Sequence, residues 1–281
     1  NRENGTAFTR EGLVEEYLHG DTKVRQRYIQ FVCDGLAGLT AEICRAVHEE
    51  SPETVVALQN GNNVGSTGCD HKYLLDAMYR VTGHPPMYRA GAGSYDDFDP
   101  NAILFKAYHD VAWQHAKLPD YVTCRCPEIE NLPNNAFGKT MYGTALEATL
   151  NFACGSTGIS FAMMEHLPED AAFYEKGFAR FATLRPYWER LAEISEKSVN
   201  GGITYARSKQ PHLRHLAPEE GMESLSDDKS ICANCLVRTG VPLGFDEREN
   251  GVYFLHPEAA QQMTRQELEQ MNVSTFTVSR G

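Results

Sequence analysis

The feature that most constrains the fold is a fourfold alternation of short apolar runs with helical segments. The apolar runs are bounded by turn residues and are typical of buried strands; they cover residues 54–58, 87–90, 121–128 and 159–163. Each run leads into a segment with helical spacing or helix-start residues, over about 70–81, 99–117, 138–154 and from 167 past 184. Strands joined by helical crossovers run parallel. The sequence therefore predicts an α/β fold with a parallel sheet.

Four strand-helix units fit two architectures. They suit half of an eight-stranded barrel or a small doubly wound sheet, and periodicity does not separate the two. An amphipathic helix over residues 21–50 precedes the units, and Pro186 predicts a kink or a split in the last helix. The sequence pattern changes near residue 200, where a predicted strand at 203–206 leads into a polar stretch with few apolar residues. We expect one unit over residues 1–200 and the start of a second α/β domain over 201–281.

Composition excludes several function classes. The 281-residue chain has a formal net charge of −12 and no local basic stripe, so we expect no nucleic-acid partner. No segment approaches the roughly 20 apolar residues of a membrane span, so no membrane partner is expected. The 8 cysteines are spread thinly, which predicts reduced thiols in a cytoplasmic protein. The chain starts without Met and ends within a strand-like run, so we expect a fragment of a longer protein.

The sequence predicts no metal site and no cofactor. Cys232 and Cys235 have the spacing of half a zinc site, but no second pair follows them. The histidines lack the spacing of a metal site, and we expect His109 and His115, which share one predicted helix, at the surface. The stretch GAG at 91–93 lacks the third glycine of a dinucleotide loop.

Two carboxylates at the end of the third predicted strand are the strongest functional signal. Because side chains alternate along a strand, Cys126, Glu128 and Glu130 share one side. Carboxylates are costly to bury without a partner or a task, and barrel enzymes keep catalytic residues at this end of their strands. The alternative is that both are solvated loop acids or are ion-paired with Arg89 or Arg125.

Further polar side chains lie at the ends of the other predicted strands. Asn60 follows the first strand, Arg89, Tyr95 and Asp96 end or follow the second, and Glu165 follows the fourth. Such groups hold hydroxyls by donating or accepting hydrogen bonds, so they are candidate substrate contacts for a hydroxyl-rich ligand. The alternative is that Asn, Asp and Gly only form turns here.

Three segments carry a resemblance to a known family: PEIENLP at 127–133, YGTAL at 142–146 and FACGSTGISF at 152–161. They resemble family 42 glycoside hydrolases and related β-galactosidase-like proteins, in which a strand ending in a nucleophilic Glu precedes a helix and a small-residue turn. The order of the predicted strands and helices resembles that of the family over roughly residues 10–200. It implies the C-terminal half of a (β/α)8 TIM-type barrel, strands five to eight, followed by the start of a second α/β domain.

The resemblance also implies roles for individual residues. Glu130 is expected to be the nucleophile in retaining cleavage of a β-galactoside or related sugar, and Glu128 is the second choice. The implied partners are a carbohydrate substrate and further copies of the chain, as a homo-oligomer that is a trimer by resemblance.

The sequence departs from the family's pattern at two places. The family's acid/base Glu belongs to a strand upstream of Asn1, and Met163 or Met164 stands where the family has an aromatic residue.

Two other function classes fit the same residues. A non-catalytic carbohydrate-binding or assembly protein would keep the barrel after losing the reaction, and the methionines and the doubled carboxylate favour it. A different barrel enzyme, such as a lyase or an aldolase, is the third possibility, and the lack of a Lys on any predicted strand disfavours it. Without the acid/base residue, we expect this chain alone to be inactive.

Overall fold

The computed structural model describes residues 7–61, 68–132, 137–164, 170–198, 201–206, 210–213, 216, 221–222, 225, 231–245, 251–255, 259–260, 263–271 and 274–276. It begins with two helices, α1 (Arg10–His19) and α2 (Thr22–Glu50). The side chains of Thr9 and Asp21 cap them by accepting hydrogen bonds from first-turn amides. The helix predicted over residues 21–50 is confirmed.

The predicted strands form a parallel array in which chain order and spatial order agree. The strands are β1 (Ala57–Gln59), β2 (Met87–Arg89), β3 (Glu128–Glu130) and β4 (Ser160–Ala162). β1 pairs with β2 and β3 pairs with β4, both in parallel. A parallel bridge between Tyr88 and Arg125 joins the two pairs, and the Glu128 amide donates to the Ala90 carbonyl. We call this β1-β2-β3-β4 array the first sheet.

Regular pairing on β3 is shorter than predicted and starts later. The predicted strand covered residues 121–128, whereas the ladder with β4 covers Glu128–Glu130. Pro127 explains the difference, because its carbonyl accepts from the Ser160 amide but it has no N–H to donate. The segment before Pro127 still bonds to both neighbours, since the Cys126 amide donates to Tyr88 and the Arg125 carbonyl accepts from Thr157.

Helices connect these strands. They are α3 (His71–Thr82), α4 (Pro100–Phe105), α5 (Ala112–His115), α6 (Met141–Ala153) and α7 (Ala172–Glu196). A π-helical segment, Lys106–Val111, joins α4 to α5 where one regular helix was predicted. α7 continues through Pro186 as one helix, so the predicted split is wrong, and the predicted kink stays a prediction. Phe181 and Trp188, on either side of Pro186, pack into the same apolar cluster and hold the two halves together.

Two apolar clusters lie between the first sheet and its helices. One joins Leu75 and Met78 of α3 to Tyr88 of β2. The other joins Ile129 of β3 to Phe152 of α6 and to α7. Fully burying side chains of this size contributes about 1.5–3 kcal/mol each, so these clusters hold the helix layer on one face of the sheet. None of the helices in the described part of the chain is long and apolar enough to cross a membrane.

A second parallel sheet begins at residue 203. Its strands are β5 (Ile203–Tyr205), β6 (Leu243–Gly244), β7 (Val252–Phe254) and β8 (Ser274–Phe276), and their spatial order is β6-β5-β7-β8. The helix α8 (Ile231–Arg238) precedes β6, and α9 (Arg265–Gln270) precedes β8. We call this array the second sheet. Its order reverses next to β5, whereas the order of the first sheet does not reverse.

The helical stretch from α4 to α5 packs against both sheets. Val111 lies in the cluster on the first sheet. Leu104, Phe105, Tyr108 and Trp113 lie against Tyr205, Leu243, Phe245 and Phe254 of the second sheet. The predicted boundary near residue 200 therefore separates two sheets that share an apolar core along this stretch.

Candidate functional site

The two faces of β3 differ in burial as strand alternation predicts. Ile129 is fully buried in the cluster with α6 and α7, whereas Glu128 and Glu130 on the other face are half-buried. In the register of the first sheet, Glu128 lies beside Ser160, and Arg89 lies beside Gln59. We call this side of the sheet the open face and define it by Gln59, Arg89, Cys126, Glu128, Glu130, Ser160 and Ala162.

An ion pair crosses the open face between two neighbouring strands. The Arg89 Nη1 donates to the Glu128 Oε2 at 2.5 Å, and the two side chains are 18% and 19% exposed. Arg89 Nη2 also donates to the Gln59 Oε1 at 3.3 Å, so one guanidinium links β1, β2 and β3. Pairing with Arg89 was one of the alternatives for Glu128. The pair orients Glu128 and stays within reach of solvent.

Glu130 is the second carboxylate on the open face. It lies beside Ala162 of β4 and is half-buried. Within the residues that the structure describes, its carboxylate has no hydrogen-bond or ion-pair partner. The structure therefore brings Glu128 and Glu130 to the same face and gives them different surroundings: one is held by a guanidinium, and the other is available to a ligand.

A buried ionic cluster of Lys106, Lys139 and Glu147 lies beneath this end of the sheet. The Lys106 Nζ forms an ion pair with the Glu147 Oε1 at 2.6 Å and donates a hydrogen bond to the Glu128 carbonyl at 2.8 Å. Lys139 donates to the other oxygen of Glu147 and to the Ser94 carbonyl at 2.9 Å. All three side chains are at most 1% exposed. The cluster ties the loop after β2 and the backbone of β3 to α6.

The sequence patterns did not predict this cluster, because a catalytic Lys was expected on a strand and neither lysine lies on one. Lys106 lies in the π-helical segment and Lys139 in the turn before α6. A usable signal was present, since Lys106 interrupts the run ILFKA and Glu147 interrupts the run TALEA. A lone charge in an apolar stretch of an amphipathic helix indicates a buried charge with a partner. Burial lowers the pKa of Lys139, and the Glu147 carboxylate opposes that effect.

The predicted substrate contacts are dispersed. Asn60 is buried, and its amide donates to the Gln114 Oε1 at 2.8 Å, so it belongs to a polar network on the helix side. Tyr95 is 43% exposed, and exposed Asp96 accepts from the Phe98 amide at 3.0 Å, which is a turn contact. Glu165 lies outside the described residues. Among the substrate candidates that the structure describes, Arg89 contacts a candidate catalytic residue, Glu128.

The predicted surface positions of His109 and His115 are wrong. His109 is buried, with its ring stacked on Phe105 at 4.5 Å between centroids, because its helix has the second sheet packed against it. His115 is buried as well. Burial, and then the Arg125 charge, lowers the pKa of His115 to about 3. Burial and then the Lys117 charge lower the pKa of His71, whose ring lies by the Tyr88 hydroxyl, to about 4.

Two cysteines, Cys124 and Cys126, lie close together at the open face. The Sγ atoms of Cys124 and Cys126 are 3.7 Å apart, and both thiols are free. Burial and then Cys124 raise the pKa of Cys126 to about 12, so its thiol stays protonated at neutral pH. Among the described residues, no group of three His, Cys, Asp or Glu side chains is placed to hold a metal ion.

Comparisons of the chain with protein-family models, with curated proteins and with solved structures find no match.

Proposed function

We propose that the open face is the sugar-binding side of a glycoside hydrolase-like barrel, with Glu130 as the nucleophile of a retaining cleavage. The observation that supports this proposal is the Arg89–Glu128 ion pair beside Glu130, which is half-buried at the carboxyl end of a parallel strand and whose carboxylate has no partner among the described residues. This end of the strands is where barrel enzymes place their catalytic residues. Carboxylates and a guanidinium also suit the hydroxyls of a sugar.

In this proposal, β1 to β4 are strands five to eight of the barrel. Their sequential order supports it, because a barrel segment keeps chain order and a doubly wound sheet reverses order at a switch point. The open face is then the side toward the barrel axis. The second sheet belongs to the following α/β domain, through which we propose that copies of the chain assemble as a trimer.

Each side chain has one role in the proposed reaction. The Glu130 carboxylate attacks the anomeric carbon, the bond to the leaving oxygen breaks, and a second carboxyl group protonates that oxygen. Water then hydrolyses the glycosyl ester and frees Glu130. Arg89 holds Glu128 in place to accept a hydrogen bond from a sugar hydroxyl. By resemblance, the second carboxyl group belongs to an earlier strand of the barrel, and a retaining reaction needs it about 5–5.5 Å from Glu130.

A non-catalytic carbohydrate-binding protein is the second candidate. It is favoured by the end of β4, where Met163 is 3% exposed within the core and Met164 is 43% exposed. Where the resemblance implies an aromatic residue that stacks on a sugar ring, this chain has a methionine thioether. This candidate keeps the hydroxyl contacts of Arg89 and Glu128 and has no use for a nucleophile at Glu130.

Labelling of the full-length protein tests the nucleophile directly. A 2-deoxy-2-fluoro β-galactosyl compound with an aryl leaving group should leave one glycosyl unit on Glu130, located by peptide mass mapping. Glu130→Gln should abolish labelling and lower aryl galactoside turnover by roughly a thousandfold or more. Glu189→Gln is the matched control, because Glu189 is exposed on α7 and, among the described residues, pairs along its own helix with Arg185.

The outcomes separate the two candidates. A label on Glu130 supports the hydrolase, and a label on Glu128 overturns the assignment of the nucleophile. Galactoside binding that Arg89→Met weakens, without any turnover or label, supports the non-catalytic protein. Neither binding nor turnover in the full-length protein overturns both.

A further inference from the structure

A cavity of about 850 Å³ lies between the second sheet and the start of the chain, away from the open face. Its walls come from α2, the turn before α3, the carboxyl end of β5 and α9. A volume of this size matches the small-molecule pockets of proteins, which cover about 300–1,000 Å³ and lie preferentially at domain interfaces and switch points.

The cavity lies where the strand order of the second sheet reverses. The strand order β6-β5-β7-β8 reverses next to β5, because the chain goes to one side of β5 to form β6 and to the other side to form β7. In open parallel sheets, ligands bind outside the carboxyl ends of the strands at such a reversal. Tyr205 and Ala206, at the carboxyl end of β5, line the cavity, as does Phe245 just after β6. Cavity and switch point therefore coincide.

The floor and the rim of the cavity differ in chemistry. Buried, mostly apolar side chains form the floor, among them Ile29, Cys33, Leu225, Tyr205 and Phe245. Exposed amides of Gln26 in α2 and Gln270 in α9 lie at the rim, whereas the Gln30 amide already donates to Asp34 and accepts from the Tyr73 hydroxyl. An apolar floor accommodates the face of a ring, and amides donate to and accept from hydroxyls.

The charged groups of the rim are already engaged. The Lys117 ammonium lies over the Trp113 ring, 3.1 Å from its centroid. Glu267 accepts from the Gln210 amide and caps α9, and Asp70 caps α3. Burial, and then the Arg25 charge, lowers the pKa of His212, so its ring is neutral at pH 7. With two carboxylates and one engaged ammonium, the rim disfavours a phosphate or another anion.

We propose that this cavity binds an uncharged, hydroxyl-bearing ring compound of nucleoside or disaccharide size. The ring lies on the floor formed by Tyr205, Phe245 and Ile29, and its hydroxyls reach the rim amides. The proposal is independent of the reaction at Glu130, because the cavity shares no lining residue with the open face.

Titration calorimetry and saturation-transfer NMR on the chain test the proposal with adenosine, uridine, lactose, cellobiose and AMP. Binding of a nucleoside or of a disaccharide supports it and identifies the source of the ligand. The variant Gln270→Trp, which places a bulky ring at the mouth, should weaken that binding at least tenfold. Gln266→Trp is the matched control, because Gln266 is exposed on the same helix and does not line the cavity. It should change the affinity less than twofold.

Three results with the ligands and the Trp variants would each overturn the proposal. They are no binding by any of the uncharged compounds, tighter binding of AMP than of adenosine, and equal weakening by the two Trp variants. Equal thermal midpoints of the variants exclude misfolding as the cause of lost binding. Disaccharide binding that is lost in Arg89→Met but kept in Gln270→Trp belongs to the open face and counts against the cavity.

Discussion

The two faces of the first sheet use ionic side chains in opposite ways. On the helix side, Lys106, Lys139 and Glu147 are at most 1% exposed, and they bond to each other and to backbone carbonyls. On the open face, Arg89 and Glu128 form a single pair that is 18% and 19% exposed. The same chemical groups thus hold the structure together on one face and remain accessible to a ligand on the other.

Burial accounts for this difference. A buried charge that loses its partner keeps the cost of leaving water, so each member of the buried cluster depends on the others. A pair near solvent loses little when it opens, because water replaces the partner. A ligand can therefore replace contacts on the open face at low cost, whereas it has no access to the cluster. Four predictions test the contrast.

The largest effect is expected from Glu147→Gln. This change leaves two ammonium groups buried without a carboxylate, so the free energy of unfolding should fall by about 3–5 kcal/mol. Urea denaturation measures the loss, and Glu189→Gln on exposed α7 should change it by less than about 0.5 kcal/mol. A loss below about 1 kcal/mol for Glu147→Gln would show that the buried cluster stabilises the fold no more than the Arg89–Glu128 pair on the open face does.

The helix side should also carry the acid sensitivity of the fold. The pKa of His71 is lowered to about 4, and that of His115 to about 3. Each contributes stability that is complete above the unfolded value of about 6.5 and is lost as the pH falls toward the folded value. At pH 5 each should cost about 2 kcal/mol relative to pH 8. Urea denaturation of His71→Gln should show a shallower pH dependence, and exposed His19→Gln should not.

The open pair should contribute less. A double-mutant cycle of Arg89→Met and Glu128→Gln should give a coupling free energy of about 0.5–1 kcal/mol, because both groups stay near water. Urea denaturation of the four proteins provides the cycle. A coupling of 3 kcal/mol or more would show that the open pair is structural, and the contrast between the faces would disappear.

The smallest effect on stability is expected from Glu130→Gln. Its carboxylate has no partner among the described residues, so the free energy of unfolding should change by less than about 0.5 kcal/mol. Labelling by the fluorinated galactosyl compound is measured on the same sample, and Glu130→Gln should abolish it. A loss above about 1 kcal/mol would indicate that Glu130 stabilises the fold rather than serving a ligand.

Local patterns were sufficient to predict much of the first sheet. Apolar runs bounded by turn residues located β2 and β4 closely but reached only the first residues of β1 and β3, and alternation along β3 put Glu128 and Glu130 on one face. Helix starts were also readable, as at Asp99, whose side chain accepts from the Asn101 amide at the start of α4. These features depend on residues close in the chain, so the sequence carries them directly.

Contacts between distant segments could not be predicted in the same way. Arg89 meets Glu128 across two strands, and Lys106 meets Glu147 between two helices, so each pair required the tertiary structure. Asn60 had the residue type of a ligand contact, but its direction is set by Gln114 on a distant helix. His109 was misplaced because the second sheet that buries it comes later in the chain.

The helical stretch from α4 to α5, which packs on both sheets, has a consequence for how this protein can change over evolution. Removing the second sheet would leave Leu104, Phe105, Tyr108 and Trp113 facing water. A contiguous apolar patch of that kind promotes self-association. A variant that lost the second sheet would therefore need polar substitutions along this helical stretch to stay monomeric.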